Sequence, residues 1–553
     1  MIRCPYLIRL GLFAVAAAGV VFLPGCSAPL VPSPYVSRSE REQEPDAQLM
    51  AKLRSSWFAL QQRGLSAEEY SRHVAEYNHN LLLLVRRYRA DMLQAFKVGN
   101  HDYEVPGIDL GNLRREDRQR LKDIFEDMVP AADIRTRSLA ERFSIPGVGL
   151  PMVGIIPAEK VNRVEGKHPI RTRGTVATIT AILEFSPSPS ARPKLRLINR
   201  NATDYITIRG QRHSLAGDFS AAIEIYWNLT RVKEDRMLGL LRPQELRDVS
   251  GLSCMETYSP DKIPVILTHG LLSSAGTFDN LVNRLMCDPV IRRNYQFWYF
   301  NYPTGVTWTL TAAQYREALD EVRRQLDPHH RNKNWDNMVL VGHSMGGLIT
   351  HYSQCTEPWL MLRDRPRLGE YMDARYVNEP LPIDRGDYFR RAFYFRPVKA
   401  GMVVYMATPH RGAPLARYRI VTALMKLVRL PQNLIEEVIN IATLQQDTVL
   451  LNPALLTEAF TSVNQLAPDS YSIKGLHGLE VLRVPTHSII GDQGDGDTPD
   501  SSDGVVPYWS SHIPWGTETI VPSSHSVQDV SETASDFARV LVEHLRRCGR
   551  SID

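Results

Sequence analysis

The stretch Val339-Leu-Val-Gly-His-Ser-Met-Gly-Gly347 decides the fold of this chain. It overlaps an apolar run at 338–341, which predicts a buried strand of a parallel sheet. Gly342, Ser344 and Gly346 then follow at the spacing of a sharp strand-to-helix turn, where a side chain at either glycine would collide with neighbouring backbone. Such a turn is a nucleophile elbow, and it presents the serine at the start of a helix.

The pattern glycine-x-serine-x-glycine is weak evidence alone, because a chain of 553 residues has roughly a one in seven chance of containing it. The surrounding sequence alternates between strand and helix patterns. Strands are predicted at 263–268, 296–300, 338–341, 402–406, 484–490 and 518–521, and helices at 276–287, 311–327, 345–354 and 528–547. This alternation predicts a mostly parallel sheet with helices on both faces, in which sites form at the carboxyl ends of strands.

Composition sets few limits on function. The chain has 65 basic and 61 acidic side chains, which gives no electrostatic case for nucleic acid as a partner. Its hydrophobic content of 43% allows a large core and several domains.

The loop after the first predicted strand suits an acyl-transfer reaction. It reads His269-Gly270-Leu271-Leu272. A tetrahedral oxyanion needs two preorganised backbone N–H donors, one from this loop and one from the residue after the nucleophile. Leu271 and Met345 are the expected donors. Gly270 permits a close backbone approach, and His269 is expected to brace the loop.

A serine nucleophile also needs an imidazole base and a carboxylate that orients the base. His525 follows the last predicted strand and precedes the C-terminal helix, which favours it among the sixteen histidines. The competing histidines have weaker placements: His410, His487 and His512. The acid is expected from the loop 491–504, where Asp503 competes with Asp492, which ends the preceding strand.

The run Ser502-Asp503-Gly504-Val505-Val506-Pro507, which lies ahead of His525, looks like an element of bacterial true lipases and related α/β-hydrolases. The segment 407–412 is similar to their G-T-P-H-x-G element, with Ala407 in place of the usual glycine. The segment 342–347 is similar to the same enzymes and to GPI-inositol-deacylase-like hydrolases. Across about residues 255–550, the resemblance implies an α/β-hydrolase fold and an ester-cleaving triad in the order Ser344, Asp503, His525.

The first 25 residues have the composition of a targeting segment. Two arginines precede an apolar stretch at 10–23, and Leu23-Pro24-Gly25-Cys26 resembles the lipobox of a bacterial lipoprotein. The resemblance implies that Cys26 is lipidated and holds the protein at a membrane of the cell envelope. Ser27 favours the outer membrane if the source is Gram-negative. An ordinary secretory signal or a short membrane anchor is the alternative.

The remaining chain divides into regions of different periodicity. The expected regions are a flexible tether at 26–45, a helical region at 46–165, a β-rich region at 166–250 and the catalytic α/β domain at 251–553. The helical region includes a charged stretch at 113–143. The β-rich strands form either a separate sheet or the first strands of the hydrolase sheet. Insertions at 355–400 and 413–475 are expected to act as a cap or lid, or to pack as helical core.

No cofactor or metal site is predicted. Related lipases sometimes bind calcium near the catalytic histidine, but Asp495 and Asp497 lack the ligand spacing of an EF-hand, which favours a solvated acidic loop. The cysteines that follow the signal allow three disulfide pairings, and the sequence does not choose among them: Cys254, Cys287, Cys355 and Cys548.

These features predict a lipid-anchored serine hydrolase that cleaves carboxylic esters, with an ester or lipid as substrate and an acyl-enzyme as intermediate. An acyltransferase that uses the same triad is one alternative. A second alternative treats the hydrolase fold as an idle scaffold and the N-terminal half as a binding or assembly module. The complete set of triad and oxyanion motifs argues against this last interpretation.

Overall fold

The computed structural model describes residues 45–92, 97–98, 101–102, 125–158, 174–188, 190–191, 193–230, 250–362, 388–414, 465–494 and 498–552. All of these residues belong to one compact unit within Val36–Asp553. Of the expected tether only Pro45 is described, and the expected lipidation site Cys26 lies outside the described residues. The same is true of 363–387 and 415–464, which make up most of the two expected insertions.

Two helices open the described chain, α1 (Asp46–Ala59) and α2 (Ala67–Met92). A capping box starts α2, since the backbone N–H of Ser66 donates to Glu69 Oε2 at 2.9 Å and the N–H of Glu69 donates to Ser66 Oγ at 3.2 Å. The apolar stripes of both helices pack into one core with the strands that follow. Tyr77 anchors this packing, because its hydroxyl donates to the carbonyl of Leu183 at 2.9 Å.

Ten strands of the described chain follow these helices. They are β1 (Lys97–Val98), β2 (His101–Asp102), β3 (Asp127–Pro130), β4 (Ser144–Ile145), β5 (Leu150–Pro157), β6 (Gly174–Glu184), β7 (Lys194–Asn199), β8 (Tyr205–Ile208), β9 (Gln211–Ser214) and β10 (Gly217–Asp218). An antiparallel sheet has the order β3-β5-β6-β7, and the other strands pair as β1-β2, β4-β10 and β8-β9. Of the two arrangements left open for the β-rich region, the structure has the separate sheet.

The expected helical region at 46–165 is wrong beyond Met92 for the described residues. Where the charged helical stretch at 113–143 was expected, the structure describes 125–143 as β3, a short 3-10 turn at Ala131–Asp133, and loops. Strand β5 follows within the same region. Its central residues are buried on both faces, so its apolar run lacks the polar–apolar alternation that marks a half-exposed strand.

A seven-stranded sheet forms the centre of the catalytic part. Its strands are β11 (Gly251–Cys254), β12 (Ile263–Thr268), β13 (Tyr295–Asn301), β14 (Val339–His343), β15 (Met402–Met406), β16 (Thr486–Asp492) and β17 (Thr517–Pro522). The spatial order is β11-β13-β12-β14-β15-β16-β17, and every pair is parallel except β11-β13. Strands β12 to β17 are the six predicted ones, each ending within two residues of its expected bounds. The antiparallel strand β11 was not predicted.

Helices cover both faces of this sheet. They are α3 (Phe219–Thr230), which precedes the sheet, then α4 (Asp279–Leu285), α5 (Pro289–Asn294), α6 (Trp308–Leu326), α7 (Lys333–Asp336), α8 (Met345–Ser353), α9 (Tyr388–Phe393), α10 (Tyr471–His477), α11 (Tyr508–Ser511) and α12 (Ser531–Arg547). Alternate strand residues such as Ile266 and Leu340 pack with α6 and α8 in one core. Tyr295 points to the opposite face, where its hydroxyl donates to the carbonyl of Leu541 in α12 at 2.8 Å. The sheet is therefore buried on both faces, as a parallel sheet requires.

The described residues contain neither a membrane-spanning helix nor a disulfide. Within the described ranges, no helix combines the length and apolar character that crossing a membrane requires. The thiols of all four cysteines that follow the expected signal are free: Cys254, Cys287, Cys355 and Cys548.

Candidate active site

Ser344 lies at the turn between β14 and α8, with φ of 54° and ψ of −124°. This strained conformation is what places the serine at the tip of the turn. A Cβ on Gly342 would lie 2.4 Å from Cα of Gly347, and one on Gly346 would lie 2.1 Å from the carbonyl oxygen of Thr268. Glycine at both positions is therefore a steric requirement of the nucleophile elbow.

Ser344, His525 and Asp503 form one hydrogen-bonded relay at the carboxyl ends of the strands. His525 Nε2 lies 2.8 Å from Ser344 Oγ, and His525 Nδ1 lies 2.8 Å from Asp503 Oδ2. The three residues come from loops separated by as many as 181 positions in sequence. Since the carboxylate only accepts, Nδ1 carries the ring proton and Nε2 presents a lone pair to the serine hydroxyl. This is the tautomer that a general base needs.

Asp503 is held in place by the backbone that follows it. Its Oδ1 accepts from the N–H groups of Val505 at 2.8 Å and Val506 at 2.6 Å, so both carboxylate oxygens have donors. The residue is 1% exposed, which shields its interaction with His525 from water. The competing Asp492 instead accepts from the N–H of Gly494 at 2.7 Å.

The competing histidines each have other partners. His487 bonds to Asp536 at 2.7 Å and to Thr517 at 2.8 Å, near the amino ends of its strands. The other two pairings are His512 with Glu518 and His410 with His351. Among the histidines of the described residues, His525 is therefore the one that the structure places against Ser344.

The expected oxyanion loop lies directly against the nucleophile. A Cβ on Gly270 would be 2.8 Å from the Cβ of Ser344, which shows how closely the two backbones approach. The backbone N–H groups of Leu271 and Met345 have no acceptor among the described residues. His269 braces the loop as predicted, because its Nδ1 lies 3.0 Å from the carbonyl oxygen of Gly270 and its ring stacks on Tyr302 at 4.2 Å.

A second imidazole, His343, contacts the relay and was missed by the sequence interpretation. Its Nε2 donates to the backbone carbonyl of His525 at 2.8 Å. Burial, and then the neighbouring charge of His525, lower the pKa of His343 to about 3. The only sequence signal for it is its position, since it directly precedes Ser344 in the elbow.

Ala407, which stands where the resembling lipases have glycine, follows β15 with a φ of 48°. That left-handed conformation favours glycine, so alanine at this position introduces local backbone strain. The next residue, Thr408, explains the double glycine of the elbow, because a Cβ on Gly347 would lie 1.9 Å from Thr408 Oγ1.

The acidic loop before Asp503 contains further aspartates. Asp495 and Asp497 lie outside the described residues. In the part of the chain that the structure describes, no three His, Cys, Asp or Glu side chains are grouped so that they would hold a metal ion.

Comparison with known proteins gives partial matches. No protein-family model matches the chain. The chain is 26% identical over 175 residues to the lysosomal thioesterase PPT2-B of Xenopus laevis, a match that covers 30% of this chain and 58% of that protein. The chain thus spans little more than half the length of this curated relative.

Two solved bacterial structures, one of them a lipase, show limited similarity. The mature lipase BlEst2 of Bacillus licheniformis shares 14% identity at a TM-score of 0.30, over 51% of this chain and 93% of that one. EstA from Clostridium botulinum shares 13% identity at a TM-score of 0.33, over 51% of this chain and 87% of that one.

The strand order of the seven-stranded sheet is the clearest evidence for the fold of this chain. The sheet is parallel apart from one antiparallel edge strand, and helices cover both of its faces. Ser344 lies in the elbow after β14, Asp503 in the loop after β16 and His525 in the loop after β17. The chain therefore has the fold of the α/β-hydrolase superfamily.

Proposed function

We propose that this protein is a serine hydrolase that cleaves carboxylic esters through an acyl-enzyme. The single observation that carries the proposal is the relay in which Ser344 Oγ, His525 and Asp503 are joined by two contacts of 2.8 Å. A serine hydroxyl is a poor nucleophile until an imidazole accepts its proton, and a buried carboxylate stabilises the imidazolium that results. The thioesterase relative also acts on an acyl group, which agrees with this chemistry.

The first half of the proposed reaction forms the acyl-enzyme. Ser344 Oγ attacks the carbonyl carbon as its proton passes to His525 Nε2, and the carbonyl electrons move onto the oxygen. The N–H groups of Leu271 and Met345 donate to this oxyanion. The intermediate then collapses, the bond to the leaving alcohol breaks, and His525 returns the proton to that alcohol.

The second half releases the acid. Water attacks the acyl carbonyl while His525 accepts one of its protons, and the same N–H groups donate to the second oxyanion. The ester bond to Ser344 breaks, and Ser344 Oγ takes the proton back from His525. No step needs a cofactor, and we propose none.

The acyl group is proposed to belong to a lipid or a similar apolar ester. Leu272, in the loop beside the nucleophile, is 42% exposed although it is a large apolar residue. Leu272 comes two residues after Gly270, whose backbone approaches Ser344, and an apolar side chain in this loop favours an acyl chain over a charged group, because burying a charge without a partner is costly.

A labelling and turnover experiment tests the proposal. A fluorophosphonate probe is expected to modify Ser344, and a panel of acyl esters of increasing chain length is expected to be hydrolysed. Ser344→Ala is expected to lose both properties, with the matched control Ser535→Ala unchanged, since Ser535 lies in α12 and bonds within its own helix. Turnover that is equal in Ser344→Ala and wild type would reject the proposal. Product analysis with an added alcohol separates hydrolysis from acyl transfer.

We further propose that lipidated Cys26 holds the protein at the cell envelope, and at the outer membrane if the source is Gram-negative. The basis is the sequence Leu23-Pro24-Gly25-Cys26 after an apolar stretch. A single acyl chain binds membranes only weakly, whereas the several chains of a lipoprotein anchor stably. A clickable fatty acid is expected to label the wild type in cells and to leave Cys26→Ser unlabelled and soluble. Equal labelling of the two proteins would contradict this assignment.

A further inference from the structure

His343 joins the two loops that flank the nucleophile. It is the last residue of β14, so its backbone is fixed by the parallel pairing of β14 with β15. Its side chain is buried, with the residue 6% exposed, and its Nε2 donates to the backbone carbonyl of His525 at 2.8 Å. The two rings lie with their centroids 5.1 Å apart. A side chain fixed by the central sheet therefore holds the main chain of the base.

The hydrogen bond fixes the tautomer of the neutral His343 ring. A carbonyl oxygen only accepts, so Nε2 carries a proton, and in the neutral ring Nδ1 then carries the lone pair. That Nδ1 is buried and has no donor among the described residues. It lies 3.3 Å from the position that a Cβ on Gly270 would occupy, which places the ring between the base loop and the oxyanion loop.

The charges that face His343 explain why its neutral form suits the site. The charged or titratable groups around it are His525, Asp503 and His269. His525 becomes positive when it accepts the serine proton, and a second positive charge beside it would oppose that step. Burial, followed by the charge of His525, lowers the pKa of His343 to about 3, so the ring stays neutral while His525 cycles.

We infer that His343 is a positioning residue that sets the main-chain position of His525 through its Nε2–H, and so aligns the base with Ser344 Oγ. This inference rests on the proposed function. A displacement of about 1 Å in a catalytic group is enough to lower the rate about 100-fold, so one buried hydrogen bond is sufficient for a large kinetic effect. Substrate binding does not depend on this bond, because the ring points toward the base loop.

Two substitutions at this position separate the hydrogen bond from simple packing. His343→Gln keeps an N–H donor at about the reach of Nε2, whereas His343→Leu keeps the apolar volume and removes the donor. We expect His343→Leu to lower kcat and the rate of fluorophosphonate labelling about 10-fold to 100-fold, with KM within about 3-fold of wild type. His343→Gln is expected to restore most of both rates.

A distant buried imidazole provides the matched control. His544 in α12 is 1% exposed and bonds to the hydroxyl of Tyr295 at 2.8 Å, far from the relay in the fold. His544→Leu is expected to lower the melting temperature with kcat within about 2-fold of wild type. If His343→Leu does not fold, His343→Asn replaces it, since its amide ends near the position of Nδ1 and cannot reach the carbonyl of His525.

The possible outcomes distinguish a failure of the positioning role from a failure of the proposed function. The positioning role would be overturned if kcat and the labelling rate were the same in His343→Gln as in His343→Leu or its replacement His343→Asn. This holds whether both variants are slower than wild type or both equal it. A rise in KM with unchanged kcat would overturn it as well. If the wild type hydrolyses no ester but the probe still labels Ser344 more slowly in the donor-free variant, the positioning role stands and the proposed ester substrate is wrong.

Discussion

The N-terminal β region (125–230) and the catalytic region (250–552) are joined by a different kind of contact from the one that holds the active site together. The nucleophile, the oxyanion loop and the loop after β15 are fixed by backbone packing, in which a single added methyl would overlap a carbonyl or a side chain. The two regions are instead joined largely by side chains, which include the rings of Trp227 and Tyr299 at 5.1 Å, besides a backbone hydrogen bond from Val176 to Met255. Arg292 of the catalytic region donates to the side chain of Asp204 and to the carbonyl of Arg200, and Ser220 Oγ donates to Asn283 Oδ1 at 2.8 Å.

This difference separates two properties of the protein. Packed backbone determines geometry, so changes there are expected to alter rate constants. Polar side-chain contacts between regions contribute free energy without setting the position of Ser344, so changes there are expected to alter stability and leave the rate of the folded protein unchanged.

The largest effect is expected from the acid of the relay. Asp503→Asn is expected to lower kcat about 1,000-fold to 10,000-fold, because an amide in place of the carboxylate favours the wrong tautomer of His525 and does not stabilise its charge. Asp492→Asn is the control, since the carboxylate of Asp492 contacts the N–H of Gly494 rather than the base. Steady-state kinetics on one ester measures both variants. If Asp492→Asn shows the larger loss, the acid has been assigned to the wrong aspartate.

One glycine from each region gives the next comparison. A methyl on Gly346 would lie 2.1 Å from the carbonyl oxygen of Thr268, and one on Gly154 in β5 would lie 2.4 Å from the ring of Phe125. Gly346→Ala is expected to lower the labelling rate of Ser344 more than about 100-fold, because the elbow must move. Gly154→Ala is expected to cost about 1–3 kcal/mol of unfolding free energy and leave the labelling rate unchanged. A kinetic defect in Gly154→Ala would remove the distinction between the regions.

The contact between the regions gives a smaller effect. Arg292 is 1% exposed, and Arg292→Met removes its bonds to Asp204 and to backbone carbonyls while Arg200 still pairs with that carboxylate. We expect a loss of about 2–4 kcal/mol in the free energy of unfolding, measured by urea denaturation, and a kcat within about 2-fold of wild type.

The contact between Arg292 and Asp204 also makes the free energy of unfolding depend on pH. Burial alone would raise the pKa of Asp204, but the hydrogen bonds and charges of Arg200 and Arg292 outweigh it and leave that pKa below its usual value. A carboxyl whose pKa is lower in the folded state stabilises the protein above its unfolded pKa of about 3.9, and the contribution is lost as the pH falls through the folded value. In Arg292→Met the folded pKa of Asp204 is expected to move toward the unfolded value, so the contribution is smaller and its loss is complete at a higher pH. An identical acid transition in both proteins would mean that Arg292 does not act on Asp204.

The two regions also differ in how far sequence alone predicted them. Strands β12 to β17 were placed to within two residues, because each is a short apolar run followed by a polar or glycine-rich loop in a strand–helix alternation. The motifs at their ends located Ser344, His525 and Asp503, which the structure brings into contact. The roles of these residues stay predictions until the kinetic tests are made.

The failures have physical causes as well. Strand β5 is buried on both faces, so it carries no alternation, and the helical character of 46–92 was extended over it. The role of His343 depends on a hydrogen bond to the backbone of a residue 182 positions away, which no local pattern encodes. The helices α1 and α2 were predictable, since the capping box and the apolar spacing are local signals.

The smallest expected effect is at Ala407, and it tests how much strain the packed backbone of the catalytic region tolerates. Its φ of 48° costs an alanine about 1–2 kcal/mol that a glycine would avoid. Ala407 is 1% exposed, so burial of its methyl stabilises the folded protein by about 0.8 kcal/mol. Glycine would also favour the unfolded state by about 0.4–1 kcal/mol, because its unfolded chain has more conformational entropy. These contributions nearly cancel, so Ala407→Gly is expected to change the free energy of unfolding by less than about 1 kcal/mol and to leave kcat unchanged. A change above about 2 kcal/mol in the free energy of unfolding, measured by urea denaturation, would mean that this loop carries backbone strain beyond that of one left-handed residue.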